Sequence, residues 1–201
     1  MRNRFSLNLP VDHLSNAILA AMQIEVESRG HQAEIRDEVK RVIPEIARWL
    51  SDAGGKPGLL LMGRCGNGKT TMMRAVSEVI AKLTEYLWGY DERWSVPEHT
   101  AKSIAMLCLD QETRKDYRKL QDLKALCIDD LGEEPAEIIY YGMVFTPMID
   151  LLAYRYDRQR LTIITTNLTP KEISEKYGTR IADRLREMMQ PIIFTGESYR
   201  Q

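Results

Sequence analysis

The stretch that decides the fold is GRCGNGKT at residues 63–70, and it satisfies the phosphate-binding spacing G-x-x-x-x-G-K-[ST]. An apolar run at residues 59–62 precedes it and is typical of a buried strand, while residues 69–84 place their apolar side chains on one face of a helix. Glycines let the backbone wrap closely around a phosphate, and the free N–H groups and dipole at a helix start favour an anion. The pattern therefore predicts a nucleotide-binding loop between a strand and a helix.

Individual residues of this loop have distinct expected roles. Lys69 supplies a positive charge to the β- and γ-phosphates, and the Thr70 hydroxyl is a magnesium ligand. Cys65 is interpreted as a filler of the loop rather than a nucleophile, because only Lys69 and the helix start are near enough to activate its thiol. The predicted nucleotide-binding residues are Gly63, Arg64, Cys65, Gly66, Asn67, Gly68, Lys69, Thr70 and Thr71.

Beyond this loop, apolar runs alternate with amphipathic segments. The expected strands lie at residues 59–62, 93–96, 125–128, 161–165 and 192–195, and the expected helices lie at residues 69–84, from Thr100 onward, between Glu134 and Asp157, and at residues 180–188. Wholly apolar strands alternating with helices predict an α/β fold whose parallel sheet is covered on both faces. Ligands of such sheets bind at the carboxyl ends of the strands, so we expect the chemistry directly after Met62, Ile128 and Thr165.

The amino-terminal part of the chain is expected to be a short helical segment. Helical spacing extends over residues 12–29 and again over residues 33–50, with an interruption or kink near Pro44. The stretch AGGKPG at residues 53–58 then breaks the chain. We therefore divide the sequence into residues 1–53, a candidate segment for docking a partner, and residues 54–201, the nucleotide-binding domain.

Composition excludes several classes of protein. The chain has 201 residues, of which 44% are apolar and 28% are charged, so it can bury the core of one ordinary domain. A net charge of −1 excludes a wholly cationic nucleic-acid coat. No apolar run approaches the roughly 20 residues of a membrane span. Three cysteines without metal spacing, and a start that lacks a secretory signal, favour the cytoplasm.

Polar residues follow two of the predicted strands. Asp129 suits a magnesium contact, direct or through water, and Asp130 is placed to orient or deprotonate an attacking water; an Asx turn is the alternative for the pair. Glu133 and Glu134 could share the work of Asp130, but the acidic first turn of a helix is the preferred interpretation. Asn167 has an amide that can hold a water near the γ-phosphate, or else it is a turn residue at the strand end.

A basic helix lies near the carboxyl terminus of the sequence. Residues 176–186 carry a net charge of +3, and Arg180 and Arg184 share one helix face because they are four residues apart. An arginine supplied by a neighbouring subunit can stabilise charge on a transferring phosphoryl group. A solvated basic face and contacts to nucleic-acid phosphates are the alternatives.

The order of these motifs resembles a known family. The phosphate loop, IDDLG at residues 128–132, TTNL at residues 165–168 and RIADRL at residues 180–185 are together similar to AAA+ ATPases of the bacterial helicase-loader and transposition-helper clade (DnaC/IstB-like), over residues 57–201. The resemblance implies a three-layer P-loop NTPase fold with a parallel central sheet. It also implies no C-terminal helical lid, for which the fifteen residues after Arg186 leave no room.

The resemblance further implies roles for particular residues and a function. Asn167 becomes the sensor of the γ-phosphate, Arg184 (or, as second choice, Arg180) the arginine that reaches a neighbour's ATP, and Arg200 a second sensor in cis. The implied activity is magnesium-dependent hydrolysis of ATP to ADP and phosphate. The expected protein is a DnaC-like loader of the replicative helicase that self-assembles on ATP and contacts single-stranded DNA. The alternatives are an IstB-like ATPase that assists a DNA transposase and, from another class, a small-molecule kinase.

Two further stretches are candidates for contacting DNA. Aromatic residues at 86–94 can stack exposed bases, although neighbouring acidic residues favour packing in the core or in a loop. Arg155, Arg158 and Arg160 form a basic group around the end of the helix predicted to reach Asp157, and they are the better candidate.

Overall fold

The computed structural model of the protein describes residues 5–109, 112–196 and 198–199. Within these residues the helices are α1 (Val11–Glu27), α2 (Asp37–Ser51), α3 (Lys69–Trp88), α4 (Ala101–Met106), α5 (Arg114–Asp122), α6 (Pro147–Asp157), α7 (Pro170–Tyr177) and α8 (Thr179–Met188). The strands are β1 (Gly58–Gly63), β2 (Glu98–Thr100), β3 (Ala125–Leu131), β4 (Ile138–Tyr140), β5 (Met143–Phe145), β6 (Leu161–Thr166) and β7 (Met189–Phe194). None of the described helices has the length and apolar character that crossing a membrane requires.

Five strands form one parallel sheet in the order β2-β3-β6-β1-β7. Strand β6 is inserted between β1 and β3, although both precede it in the chain, so the carboxyl ends of β1, β6 and β3 lie side by side. The predicted parallel α/β fold is confirmed. The order also brings the phosphate loop, the acidic pair and Asn167 to one edge of the sheet, which is where open α/β sheets bind ligands.

The core has two parts because successive side chains of each strand point to opposite faces. On β1, Leu59 and Leu61 pack with α1, α2 and α3, whereas Leu60 and Met62 pack with α4, α6 and α8. The sheet is thus the middle layer of three. Helices α1 and α2 share the first part of the core with α3, so these two helices are joined to the sheet through packing. The role of residues 1–53 in docking a partner stays a prediction.

Two predicted elements are wrong. The strand expected at residues 93–96 lies later in the chain, as β2 (Glu98–Thr100). Trp94, within the expected strand, packs against Phe5 instead, with ring centroids 4.4 Å apart. The helix expected to begin near Glu134 begins only at Pro147, and strands β4 and β5 form an antiparallel hairpin before it. The run IIYYGMVF at residues 138–145 is rich in β-formers, and a two-residue turn with positive φ at Tyr141 (48°) and Gly142 (75°) closes the hairpin.

Helix α7 was not anticipated, although its start carries a recognisable signal. The Thr169 side chain accepts a hydrogen bond from the backbone of Glu172, and the Glu172 carboxylate accepts one from the backbone of Thr169. This capping box, followed by Pro170 at the first helical position, starts the helix three residues after Asn167. The capping hydrogen bonds hold the pKa of Glu172 below its usual value.

Candidate nucleotide-binding site

The phosphate loop joins β1 to the start of α3, as predicted, and its glycines are required by its shape. Gly63, Gly66 and Gly68 have φ angles of 150°, 80° and 91°. A side chain at Gly63 would lie 2.4 Å from the Phe194 carbonyl oxygen and 2.5 Å from Asn67 Nδ2. The loop is therefore folded too tightly against β7 for any other residue at this position.

The Lys69 ammonium lies inside the loop, and the Lys69 residue is 5% exposed. Its Nζ donates hydrogen bonds of 2.8 Å to the carbonyl oxygens of Gly63 and Arg64, and of 2.8 Å to Asn167 Oδ1. A longer one of 3.2 Å reaches Asn67 Oδ1. The buried Asn67 amide also donates to the Phe194 carbonyl at 3.1 Å, so it connects the loop to the end of β7. The structure thus brings Lys69 and Asn167 together, two of the residues that sequence predicted for this site.

Thr70 and Asp129 also meet at the carboxyl ends of the strands. The Thr70 hydroxyl donates to Asp129 Oδ1 at 3.0 Å, and the Asp129 carboxylate is buried. These are hard oxygen ligands of the kind that Mg²⁺ prefers, and Mg²⁺ usually takes one or two protein ligands together with phosphate oxygens. Across the described residues there is no group of three or more His, Cys, Asp or Glu that would build a metal cage by itself. The residues therefore fit a magnesium ion that arrives with a nucleotide.

A β-bulge separates the two aspartates. Pairing between β3 and β6 shifts register here, so that Asp129 and Asp130 together oppose the single residue Thr165. The Thr165 hydroxyl donates to Asp129 Oδ1 at 2.5 Å and accepts from the Asp130 backbone N–H at 2.9 Å. Asp130 consequently adopts a left-handed conformation with φ of 55°. Bulges of this kind redirect a side chain next to an active site, and here one threonine fixes both carboxylate residues.

Glu134 does not lie in the first turn of a helix, which corrects the interpretation from sequence. The residue is 2% exposed, and its carboxylate accepts from the Gly132 backbone N–H at 2.9 Å and from the Tyr177 hydroxyl. Lys176 Nζ donates to the Gly132 carbonyl oxygen and, at 2.5 Å, to the Glu134 carbonyl oxygen. Burial is the larger cause, and the hydrogen bond to Glu134 the second cause, of a raised pKa of Tyr177. This hydroxyl therefore remains a hydrogen-bond donor at physiological pH. Glu133, in contrast, is exposed.

The two candidate arginines of α8 differ in their surroundings. Arg180 is exposed near the amino-terminal end of the helix. The Arg184 side chain is only 18% exposed, and its guanidinium lies 3.4 Å from Asp157 and 4.9 Å from the centre of the Tyr156 ring. Two neighbours on α6 therefore hold the Arg184 guanidinium in a defined orientation.

Residues close to the carboxyl terminus pack directly on the phosphate loop. The Tyr199 backbone N–H donates to the Gly66 carbonyl oxygen at 2.8 Å, and the Arg36 guanidinium lies 4.1 Å from the Tyr199 ring centre. The Arg36 backbone N–H donates to the Tyr199 hydroxyl at 3.0 Å. Arg36, Val39, Asn67, Phe194 and Tyr199 are among the residues that line a small cavity beside the loop. Arg200, predicted as a second sensor, lies outside the described residues.

The sequence analysis did not identify Thr165 or Arg36 as candidates for this site, and it assigned Arg155 to a DNA-contacting group. Thr165 carried a signal, since it is a polar residue at the end of an apolar strand, whereas nothing local connected Arg36 with the loop.

Arg155 is fully buried, with hydrogen bonds of 2.8 Å from Nε to the Thr162 hydroxyl and 2.6 Å from an amino group to the Leu161 carbonyl oxygen. It therefore supports the packing of α6 on β6 and is not available to DNA.

Comparisons with known proteins extend these observations. No protein-family model matches the chain, and no curated protein sequence is significantly similar to it. Among solved structures, a DnaC helicase loader is similar with a TM-score of 0.63 and 19% identity, covering 80% of this chain and 92% of that one. DnaI is similar with a TM-score of 0.65 and 20% identity, covering 96% and 94% of the two chains.

A third structure is a replication initiator. AMPPCP-bound DnaA from Aquifex aeolicus is 16% identical with a TM-score of 0.55, over 79% of this chain and 48% of that chain. At these identities the similarity concerns the fold. The resemblance suggested by the motifs is confirmed at that level, because the chain shares its fold with the structures of the DnaC helicase loader and of DnaI.

Proposed function

We propose that this protein is an ATP-driven switch of DNA replication, most closely a loader of the replicative helicase, that acts in the cytoplasm. The observation that carries the proposal is the meeting of two pairs of side chains at one edge of the sheet. Lys69 with Asn167, 2.8 Å apart, forms a site for a terminal phosphate, and Thr70 with Asp129, 3.0 Å apart, forms a site for its magnesium ion. Both pairs lie on a fold that DnaC and DnaI share.

The loop residues supply the binding energy for the phosphates in this proposal. Residues 63–71 direct backbone N–H groups and the start of α3 toward an anion, and Lys69 adds a positive charge. Thr70 and Asp129 would hold the magnesium ion, which when bound would neutralise charge on the phosphate oxygens.

Asp130 is the proposed residue for activating water. Its left-handed backbone and the bulge around it place it one residue beyond the metal ligand, and it is less buried than Asp129. A carboxylate in this position can orient an attacking water and accept its proton. Asn167, whose Oδ1 already accepts from Lys69, is proposed to report whether a γ-phosphate is present.

An arginine of a second copy is proposed to complete the site. Arg184 is our first candidate, since Asp157 and Tyr156 fix its guanidinium in advance, and preorganised charge stabilises a transition state without reorganisation. Arg180, exposed one turn earlier, is the second. Because the arginine touches the phosphate only when two copies adjoin, ATP favours the assembled state and hydrolysis releases it.

The proposed partners are the replicative helicase and single-stranded DNA, with residues 1–53 as the segment that docks the helicase. The direct test is co-purification of the protein with the replicative helicase of its host in ATP, in ADP and without nucleotide. We expect a complex whose amount depends on ATP and which the Lys69→Ala variant does not form. Capture of a transposase in place of the helicase, or a complex indifferent to nucleotide, would overturn the proposal.

A further inference from the structure

The turn after the acidic pair is held by residues that lie more than forty positions later in the chain. Both backbone polar groups of Gly132, two residues after Asp130, form hydrogen bonds. Its N–H donates to Glu134, and its carbonyl oxygen accepts from Lys176. Its φ of 115° and the Leu168 side chain, which would lie 2.8 Å from an added Cβ, leave room only for glycine. The position of this turn is thus fixed by α7 and by the residue that follows Asn167.

Glu134 is the centre of these contacts. It is a carboxylate with 2% exposure, and burying a carboxylate is costly unless donors surround it. Here the Gly132 backbone N–H, 2.9 Å away, and the Tyr177 hydroxyl supply those donors, while Lys176 Nζ lies 2.5 Å from the Glu134 backbone oxygen. A polar network that is buried and satisfied in this way favours one geometry strongly over others.

The same network reaches the helix that carries the candidate arginines. Tyr177 is the last residue of α7, and only Gly178 separates it from α8. Asn167 and Leu168 join β6 to the start of α7. The contacts of Glu134, Lys176 and Tyr177 therefore connect the acidic turn with the elements that carry Asn167 and Arg184.

We propose that Glu134, Lys176 and Tyr177 are positioning residues for ATP hydrolysis, which hold the turn 130–132 so that Asp130 faces the attacking water. This inference rests on the proposed ATPase function. The three residues touch neither nucleotide nor water in this role; they act through Gly132 on the backbone of Asp130. A displacement of the general base, here Asp130, by about 1 Å is enough to lower a reaction rate about a hundredfold.

The test compares Tyr177→Phe with the unmodified protein in steady-state ATP hydrolysis. This variant keeps the ring and removes one hydrogen bond, so we expect kcat to fall about tenfold or more while KM changes less than about twofold. Tyr154→Phe is the matched control, because it too removes a tyrosine hydroxyl bonded to a carboxylate, that of Asp122, on the side of α6 that faces α5. Unchanged kcat in Tyr177→Phe would overturn the inference and leave the ATPase function intact.

Two further comparisons separate positioning from a general loss of structure. Lys176→Met should lower kcat in a protein that still folds, whereas Lys171→Met, on the exposed side of the same helix, should leave kcat unaltered. Glu134→Gln keeps one acceptor for the Gly132 N–H and turns the other oxygen into an NH₂ donor that the Tyr177 oxygen can accept, so it should restore most of the kcat that Glu134→Ala loses. If Glu134→Gln is as slow as Glu134→Ala, the charge itself takes part and the positioning role is wrong. If the unmodified protein hydrolyses no ATP, the proposed function falls and this inference with it.

Discussion

Lys69 Nζ and Asn167 Oδ1 lie 2.8 Å apart, although 98 residues separate them in the chain. The lysine begins α3 and the asparagine follows β6, so the contact exists only because β6 is inserted beside β1 in the sheet. A terminal phosphate bound here would meet a cation and an amide at the same point. This relationship is the structural basis for treating the loop and the strand end as one site.

Replacing Lys69 by alanine should abolish tight ATP binding. The change removes the charge at the centre of the loop, and a charge-assisted hydrogen bond of this kind is worth about 1.5–3 kcal/mol, or roughly a 10- to 100-fold loss of affinity. Titration with a fluorescent ATP analogue measures it. Lys82→Ala, at an exposed ion pair on α3, is the control. Equal affinity in Lys69→Ala would show that the nucleotide site lies elsewhere.

Asp130→Asn should separate binding from hydrolysis. The amide keeps the size of the carboxylate but cannot accept a proton, so we expect kcat to fall by about 10²-fold or more with ATP still bound. Phosphate release and nucleotide affinity are measured on the same preparation. Turnover at the rate of the unmodified protein would remove Asp130 from the mechanism.

Thr165→Val should affect both stability and activity. Valine preserves the shape but leaves the Asp130 backbone N–H without its 2.9 Å partner and removes the donor to Asp129. Loss of a partner from a buried polar group costs about 1–3 kcal/mol, which urea denaturation measures as a lower free energy of unfolding. We expect kcat to fall as well. An unchanged free energy of unfolding together with an unchanged kcat in Thr165→Val would contradict the role of Thr165.

Mixing two inactive variants tests the arginine in trans. Arg184→Ala alone should lower kcat by about 10³-fold, since an arginine of this type stabilises the transferring phosphoryl group. An equimolar mixture with Lys69→Ala should regain part of the activity, because one copy then offers the loop and the other the arginine. Arg186→Ala, which only breaks an exposed 2.5 Å pair with Asp183, is the control. If Arg184→Ala is active by itself, the same pair of experiments with Arg180→Ala decides whether the second candidate takes this role.

Much of the site was accessible from sequence because its parts are local. The glycine spacing at residues 63–70, the aspartates after an apolar run, and Asn167 after another each depend on a few neighbouring residues. The edge of a parallel sheet at which such strands end is a general property of the fold, so their convergence was predictable. The hairpin at residues 138–145 was missed for the opposite reason: one amphipathic helix accounted for the same apolar residues, and only Gly142 marked the turn.

By itself, then, the sequence determined the phosphate-loop motif, the parallel α/β class and the charged residues predicted for the site. Tertiary structure alone decided how those residues are held. The bulge at Asp129 and Asp130 follows from strand register, the burial of Glu134 from the packing of α7, and the orientation of Arg184 from side chains on α6. The physical reason is that steric and helical preferences act over a few residues, whereas these hydrogen bonds join groups that become neighbours only when the sheet and its helices assemble.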